Sequence, residues 1–264
     1  MDYAEVIARE SARAADALAA APPGRPVPSC PDWDSMDLAY HLGEVQDFWG
    51  NLVAQAPVGP DGLDETVRRP DDELVPFLRT RTVALLDALA AHDPQDPCWS
   101  WSASGGTVGW VYRRQAHEAL VHRIDAEQTA GLPVTEAAPD LAADGVDELL
   151  GVMLSGLPPW ARFTPDGQRV RVRATDAGRE WVVAFGRFSG TSPTTGTTYD
   201  DPCAELVGGA PWDGDDEDVA ATVSGTAWAL ELWLWGRSTG DALVREGDPT
   251  VPERLRAAIV ESTQ

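Results

Sequence analysis

Apolar residues recur at helical spacing along the first half of the chain. Alanines and leucines three or four positions apart predict four helices, at residues 2–21, 35–55, 71–92 and 107–130. The first ends at Pro22-Pro23-Gly24, which a helix cannot cross cheaply, and Asp34 or Ser35 can cap the second. Proline, glycine and aspartate mark turns between them. Four helices of this length predict a four-helix bundle.

The pattern changes after a further predicted helix at residues 138–157. Beyond it, β-branched and aromatic residues alternate with polar ones over residues 169–176 and 179–188, which predicts a hairpin. Three later segments predict a strand at residues 218–225, a buried helix at 226–237 and a closing helix at 250–262. The chain therefore divides into a helical domain, residues 1–157, and a smaller α+β domain, residues 158–264.

The charge balance limits the possible partners. The chain has 20 basic residues, all of them arginine, against 43 acidic ones, a net charge of −23. Nucleic acids and anionic membranes need a basic surface, so neither is expected as a partner. The acidic run at residues 213–218 is interpreted as a solvated loop.

The start of the chain has no basic region followed by an apolar run, and no apolar stretch is long enough to span a membrane. We therefore expect a cytoplasmic protein. Three widely spaced cysteines, Cys30, Cys98 and Cys203, are typical of reduced thiols rather than of a disulfide framework.

The segment RRQAHEALVHRIDAE, residues 113–127, nearly matches the zinc-protease pattern H-E-x-x-H. At about 100° per residue, Glu118 and His122 lie on one helical face, whereas His117 points roughly 140° away from His122. Asp125 continues the face of Glu118 and His122 and can accept a hydrogen bond from the second ring nitrogen of His122. By itself this spacing is also typical of a solvated helical contact.

The second predicted helix places another histidine on an apolar stripe. His41 projects between Leu38, Val45, Phe48 and Leu52, on the face expected to meet the bundle interior. A neutral histidine with an internal hydrogen bond is one interpretation. Bundles also build metal sites from inward-facing acids and histidines on separate helices, and His41, Glu118 and His122 would leave one position open, as catalytic zinc does.

Three segments resemble the mycothiol-dependent maleylpyruvate isomerase family, whose N-terminal domain is a DinB-like four-helix bundle. They are CPDWDSMDLAYHLGEV (residues 30–45), TVGWVYRRQAHEALVHRIDAE (residues 107–127) and SGTAWALELWLWGR (residues 224–237). The resemblance implies that His41, Glu118 and His122 bind a divalent metal, commonly zinc. It also implies that the open position takes the sulfur of mycothiol, the low-molecular-weight thiol of actinobacteria.

The same resemblance implies a carboxylate anchor in the second domain, for which Arg237 is the best match. The expected substrate is a small electrophile or dicarboxylate, which the thiol isomerises from cis to trans or to which it is transferred. Two alternatives stay open: a zinc hydrolase that activates water in the same position, and a non-catalytic metal-binding stress protein. Trp99, Trp101 and Trp110 flank the metal-bearing helix, either as a pocket wall or as core.

Overall fold

The structure is a computed structural model that describes residues 1–102, 106–209 and 219–263. Its first unit contains four helices: α1 (Tyr3–Ala20), α2 (Ser35–Ala54), α3 (Asp71–Ala90) and α4 (Val108–Ala130). All four agree with the predicted segments to within a few residues. They pack against one another around a core of alanine and leucine side chains, so the predicted bundle is confirmed.

Local hydrogen bonds explain where the helices begin and end. Asp34 caps α2 through the backbone N–H groups of Met36 and Asp37, and the Asp37 carboxylate accepts from the Asp34 N–H, which completes a capping box. The Thr107 side chain caps α4 by accepting from the backbone N–H of Trp110, and α4 ends at Gly131, whose φ of 70° lies in the left-handed region.

A small hairpin between α1 and α2 was not predicted from the sequence. It pairs β1 (Pro26–Val27) with β2 (Cys30–Asp34) in antiparallel fashion. Val27 is fully buried in the bundle core, and the N–H of Ser35 donates to the carbonyl of Arg25. The hairpin is therefore fixed to the bundle where α2 begins.

The division between the two units differs from the predicted one. The chain divides between Thr135 and Glu136 rather than after residue 157. The reason is that α5 (Pro139–Glu148) packs on a helix of the second unit: a Cβ added to Gly145 would lie 2.5 Å from a carboxylate oxygen of Glu231. A single helix, predicted at residues 138–157, is instead α5 followed by a π-helical turn at Leu149–Met153.

The second unit is built on a five-stranded sheet in the order β5-β4-β3-β6-β7. Its strands are β3 (Ala161–Ala174), β4 (Arg179–Thr191), β5 (Thr198–Gly209), β6 (Ala221–Gly225) and β7 (Val244–Gly247). Among the described residues, β3 and β6 pair in parallel and the other neighbouring strands pair in antiparallel fashion. The predicted hairpin is present as β3 and β4, both longer than expected, whereas β5 and β7 were not predicted.

Helices α6 (Ala227–Leu234) and α7 (Thr250–Ser262) contact this sheet and complete the α+β unit. Both helices and strand β6 agree with the predicted segments, and the bundle followed by an α+β unit confirms the predicted fold class. The acidic run at residues 213–218 lies outside the described residues. Among the described helices, none combines the length and the apolar character needed to cross a membrane.

Candidate metal centre

The three predicted ligands lie together in the first unit. One ligand atom from each of His41, Glu118 and His122 lies within 4.8 Å of the other two. Glu118 Oε1 is 3.1 Å from His122 Nε2 and 3.5 Å from His41 Nε2, and the centroids of the two imidazole rings are 4.9 Å apart. A carboxylate oxygen thus stands between two imidazole nitrogens.

Two helices supply these groups. Glu118 and His122 are one turn apart on α4, so both project from the same face. His41 lies on the second turn of α2 and reaches the same point from the neighbouring helix. The site therefore depends on the packing of α2 beside α4 and on no flexible loop.

His41 lies at the edge of the bundle rather than in its core, which corrects the projection made from the apolar residues. Its side chain is 29% exposed, whereas Leu42 and Gln46 on the adjoining face are fully buried. The buried face of α2 includes Gly43, where an added Cβ would lie 2.6 Å from the Phe77 ring, and Gly50, which faces the Leu85 backbone of α3. Glycine and a hydrogen-bonded glutamine are not among the apolar residues that the projection used to find the buried face of α2. The projection therefore assigned the core to the neighbouring face of the helix, which includes His41.

Asp125 contacts His122 as predicted. Its Oδ2 lies 3.0 Å from Nδ1 of His122, and its side chain is fully buried. A carboxylate at Nδ1 favours the tautomer that carries the proton there, which leaves the lone pair of Nε2 toward the cluster. The orientation required of a metal ligand is therefore fixed by a buried neighbour.

Arg114 holds the other oxygen of the Glu118 carboxylate. Its guanidinium donates to Oε2 at 2.7 Å from one turn earlier on α4, and its side chain is only 6% exposed. Oε1 is left facing His41 and His122. Sequence reasoning did not identify Arg114, although its spacing of four residues from Glu118 was a usable signal.

The electrostatics of the site follow from these contacts. Burial disfavours the charged form of His122, but hydrogen bonds to Asp125 and Glu118 outweigh it and raise the pKa of His122 from 6.5 to about 9. Burial likewise opposes ionisation of Glu118, and hydrogen bonds from His122 and His41 with the charge of Arg114 hold its pKa well below the usual range. Without a metal, His122 holds a proton at neutral pH, and its positive charge offsets part of the negative charge of Glu118 and Asp125.

Trp33 is the aromatic side chain beside the cluster. It lies on strand β2, with its ring centroid 4.6 Å from that of His41 and 6.4 Å from that of His122. Trp33 belongs to a segment that resembles the family, but its place beside the cluster was not predicted, because it depends on the hairpin.

Of the three tryptophans interpreted as either pocket wall or core, Trp99 and Trp110 lie beside Trp49, two turns beyond His41 on α2. Their rings are tilted relative to that of Trp49, with centroids 6.2 Å and 5.5 Å from it, and Trp101 lies edge-on to Trp110. These contacts favour the core interpretation for Trp99 and Trp110, while Trp101 is 47% exposed.

His117 stays outside the cluster, as its helical angle predicts. It is fully buried and meets the ring of Tyr3 on α1 edge-on at 6.4 Å. It belongs to the contact between α1 and α4.

Arg237 belongs to the second unit, just after α6. Its guanidinium donates to the carbonyl of Trp235 and lies 5.8 Å from the centre of that ring. Burial and the nearby charge of Arg237 lower the pKa of Arg256, so two guanidinium groups meet near the end of α6. An anionic group would be favoured beside such a pair.

The donor set fits a divalent metal. Two imidazole nitrogens and one carboxylate oxygen are ligands that zinc accepts, and a carboxylate partner on a ligating imidazole is typical of metal sites. Three protein ligands leave a further position for a small molecule, and the exposed edge of His41 gives access to it. His41, Glu118 and His122 could therefore hold one ion.

Comparisons with known proteins agree with this organisation. Residues 4–127 match the family model described as mycothiol maleylpyruvate isomerase N-terminal domain, and residues 140–254 match the MDMPI C-terminal domain. No curated protein sequence matches the chain.

Two crystal structures have a similar fold, a mycothiol-dependent maleylpyruvate isomerase and a histidine-to-alanine mutant of it. Each has a TM-score of 0.53 and 12% sequence identity, over 92% of this chain and 91% of the other. At 12% identity, the similarity to these two structures is evidence for the fold alone. The two family models together span most of both units, and the chain belongs to the mycothiol-dependent maleylpyruvate isomerase family.

Proposed function

We propose that the chain is a metal- and mycothiol-dependent enzyme that isomerises a small cis-unsaturated acid or transfers the thiol to a small electrophile. The observation that carries the proposal is the convergence of His41, Glu118 and His122 within 4.8 Å at an accessible edge of the bundle. Zinc is an ion that this donor set suits. The family supports mycothiol as the thiol.

Two of the chain's three thiols, those of Cys98 and Cys203, are poorly suited to be the nucleophile. Burial raises the pKa of Cys98, and burial with the charge of Glu205 raises the pKa of Cys203 to about 11. Both thiols are therefore protonated at neutral pH, and a thiol is a weak nucleophile until it ionises. A divalent ion at the site would supply the missing activation, because coordination lowers the pKa of a thiol.

Residues of the two units have separate tasks in this proposal. Asp125 keeps the Nδ1 proton of His122 away from the ion and aims Nε2 at it, and Arg114 keeps Glu118 ionised and presents Oε1. Trp33 covers one side of both imidazoles, which limits the access of water to the thiol. Arg237 would bind a substrate carboxylate, for which its two parallel N–H groups are suited.

The reaction needs no net proton source. Addition of the thiolate to the cis double bond forms a carbon–sulfur bond and moves the electron pair of the double bond onto the conjugated carbonyl as an enolate, which leaves a carbon–carbon single bond that rotates. Elimination then breaks the carbon–sulfur bond, restores the double bond in the trans form and returns the thiolate. With a saturated electrophile, the same attack expels a leaving group and gives a thioether.

Turnover of maleylpyruvate tests the proposal. The zinc-loaded protein is assayed with and without mycothiol, and the metal-stripped protein with mycothiol serves as the matched control. We expect turnover only when zinc and thiol are both present. Equal turnover of a substrate without any thiol would contradict the thiol mechanism and favour the hydrolase alternative.

A further inference from the structure

The hairpin of β1 and β2 brings a polar side chain to the metal-bearing helix. Ser29 lies at its turn, directly after the short strand that contains Val27. Val27 is fully buried in the same core cluster as Ala126 of α4, the residue that follows Asp125. The turn is thus held against α4 at the level of Asp125.

Ser29 donates a hydrogen bond to the carboxylate behind His122. Its Oγ lies 2.5 Å from Oδ1 of Asp125, a residue 96 positions later in the chain. The other oxygen, Oδ2, lies 3.0 Å from Nδ1 of His122. Each oxygen of the buried carboxylate therefore has its own partner, and neither can rotate away without breaking a bond.

We propose that Ser29 is a positioning residue for the metal centre, acting on His122 through Asp125. The inference rests on the metal site of the proposed function. A carboxylate with one oxygen unheld could turn about its Cβ–Cγ bond and weaken its contact with Nδ1. With the Ser29 hydroxyl bound to Oδ1, Oδ2 stays where the imidazole needs its acceptor. A chain of two hydrogen bonds thus links the hairpin to a ligand nitrogen.

The expected effect can be separated from general destabilisation by a matched control. Thr129 also bonds to Asp125, but its Oγ1 donates to the backbone carbonyl at 2.7 Å and does not touch the carboxylate. Thr129→Val and Ser29→Ala each delete one hydroxyl beside Asp125. Only Ser29→Ala should alter the metal centre.

Zinc affinity of the full-length protein, measured by competition with a chromophoric chelator, tests the proposal. We expect Ser29→Ala to weaken zinc binding roughly three- to tenfold, below the 10- to 100-fold typical of residues that bond a ligand directly. Ser29→Thr, which keeps the hydroxyl, should restore wild-type affinity, and Thr129→Val should remain within about twofold of it. Ser29→Cys, a weaker donor of similar size, replaces Ser29→Ala if the alanine variant does not fold.

A double-mutant cycle identifies the route of the effect. If Ser29 acts through Asp125, Ser29→Ala should change zinc affinity no further once Asp125→Ala, which removes the acceptor of the Ser29 hydroxyl, is present. Equal losses in both backgrounds, or wild-type affinity in Ser29→Ala and Ser29→Cys, would overturn the proposal while leaving the metal site standing. A wild-type protein that binds no zinc would instead overturn the metal site, and with it this role of Ser29.

Discussion

Replacement of Asp125 by asparagine should weaken zinc binding without removing it. The variant keeps the size of the side chain and an oxygen that can accept from His122 Nδ1, but it removes the negative charge from a fully buried contact of 3.0 Å. A hydrogen bond to a charged group stabilises by about 1.5–3 kcal/mol and a neutral one by about 0.5–1.5 kcal/mol. The difference of roughly 1–2 kcal/mol corresponds to about a 5- to 30-fold loss of affinity.

The loss of zinc affinity in Asp125→Asn should depend on pH, and the raised pKa of His122 determines the direction of that dependence. Its raised pKa of about 9 means that zinc must displace a proton from His122 at neutral pH, which makes the apparent wild-type affinity lower at pH 7 than above about pH 9. Because Asp125 is one cause of that raised pKa, the variant binds the competing proton less tightly. The difference between variant and wild type should therefore be largest above about pH 9 and smaller at pH 7.

Chelator competition at about pH 7 and pH 9.5 measures both effects. Asp47→Asn is a matched control, because Asp47 is an acid of α2 whose contacts are with Thr66 and Arg81 rather than with the cluster. Wild-type affinity of Asp125→Asn at the higher pH would refute the role assigned to Asp125. A loss of zinc affinity that grows as the pH falls would refute the competition between zinc and a proton for His122.

Three further results are expected. His41→Ala should reduce zinc content from about one ion per chain to a small fraction, whereas His117→Ala should retain the full complement by elemental analysis, and equal retention in both would place the metal elsewhere. The folded-state pKa of His122 is raised above its unfolded value, so its contribution to stability is complete below about pH 6.5 and is lost as the pH rises through about 9. The melting temperature of metal-free protein should therefore fall across that window, and a flat profile would contradict the raised pKa. Arg237→Ala should raise KM for a carboxylate substrate and leave zinc affinity unchanged, with partial recovery in Arg237→Lys, and an unaltered KM would remove Arg237 as the anchor.

The parts of the site that local spacing determines could be predicted from the sequence. Glu118, His122 and Asp125 follow one another on a helical face, and the structure places them in contact. The partner on the second helix, His41, required only that two long helices pack side by side. The fold class followed from the change of periodicity between the two halves of the chain.

The side chains that the hairpin brings to the site could not be predicted, because their positions depend on tertiary structure that has no clear pattern in the sequence. Strand β1 has two residues and β2 contains a proline, so neither shows an alternation long enough to predict a strand. Ser29 and Trp33 reach the site only because that hairpin folds back on the bundle. Nothing in the sequence around Ser29 indicates a partner 96 residues away.

The edge strands were missed for a similar reason. Strand β5 carries two adjacent acids and Pro202, and β7 has four residues that are all exposed. Edge strands need no strong apolar alternation, because one side of each is unpaired and part of each face is solvated. The unit boundary was misplaced because the helical signal of α5 is the same whichever unit it packs against.

We propose that an ion held by His41, Glu118 and His122 binds the sulfur of mycothiol. Replacement of zinc by cobalt(II) makes that contact visible, since a thiolate bound to cobalt gives a charge-transfer band in the near ultraviolet. We expect the band to appear when mycothiol is added to the cobalt-loaded protein and to be absent in His41→Ala under the same conditions. A cobalt spectrum that does not change with saturating mycothiol would contradict the claim.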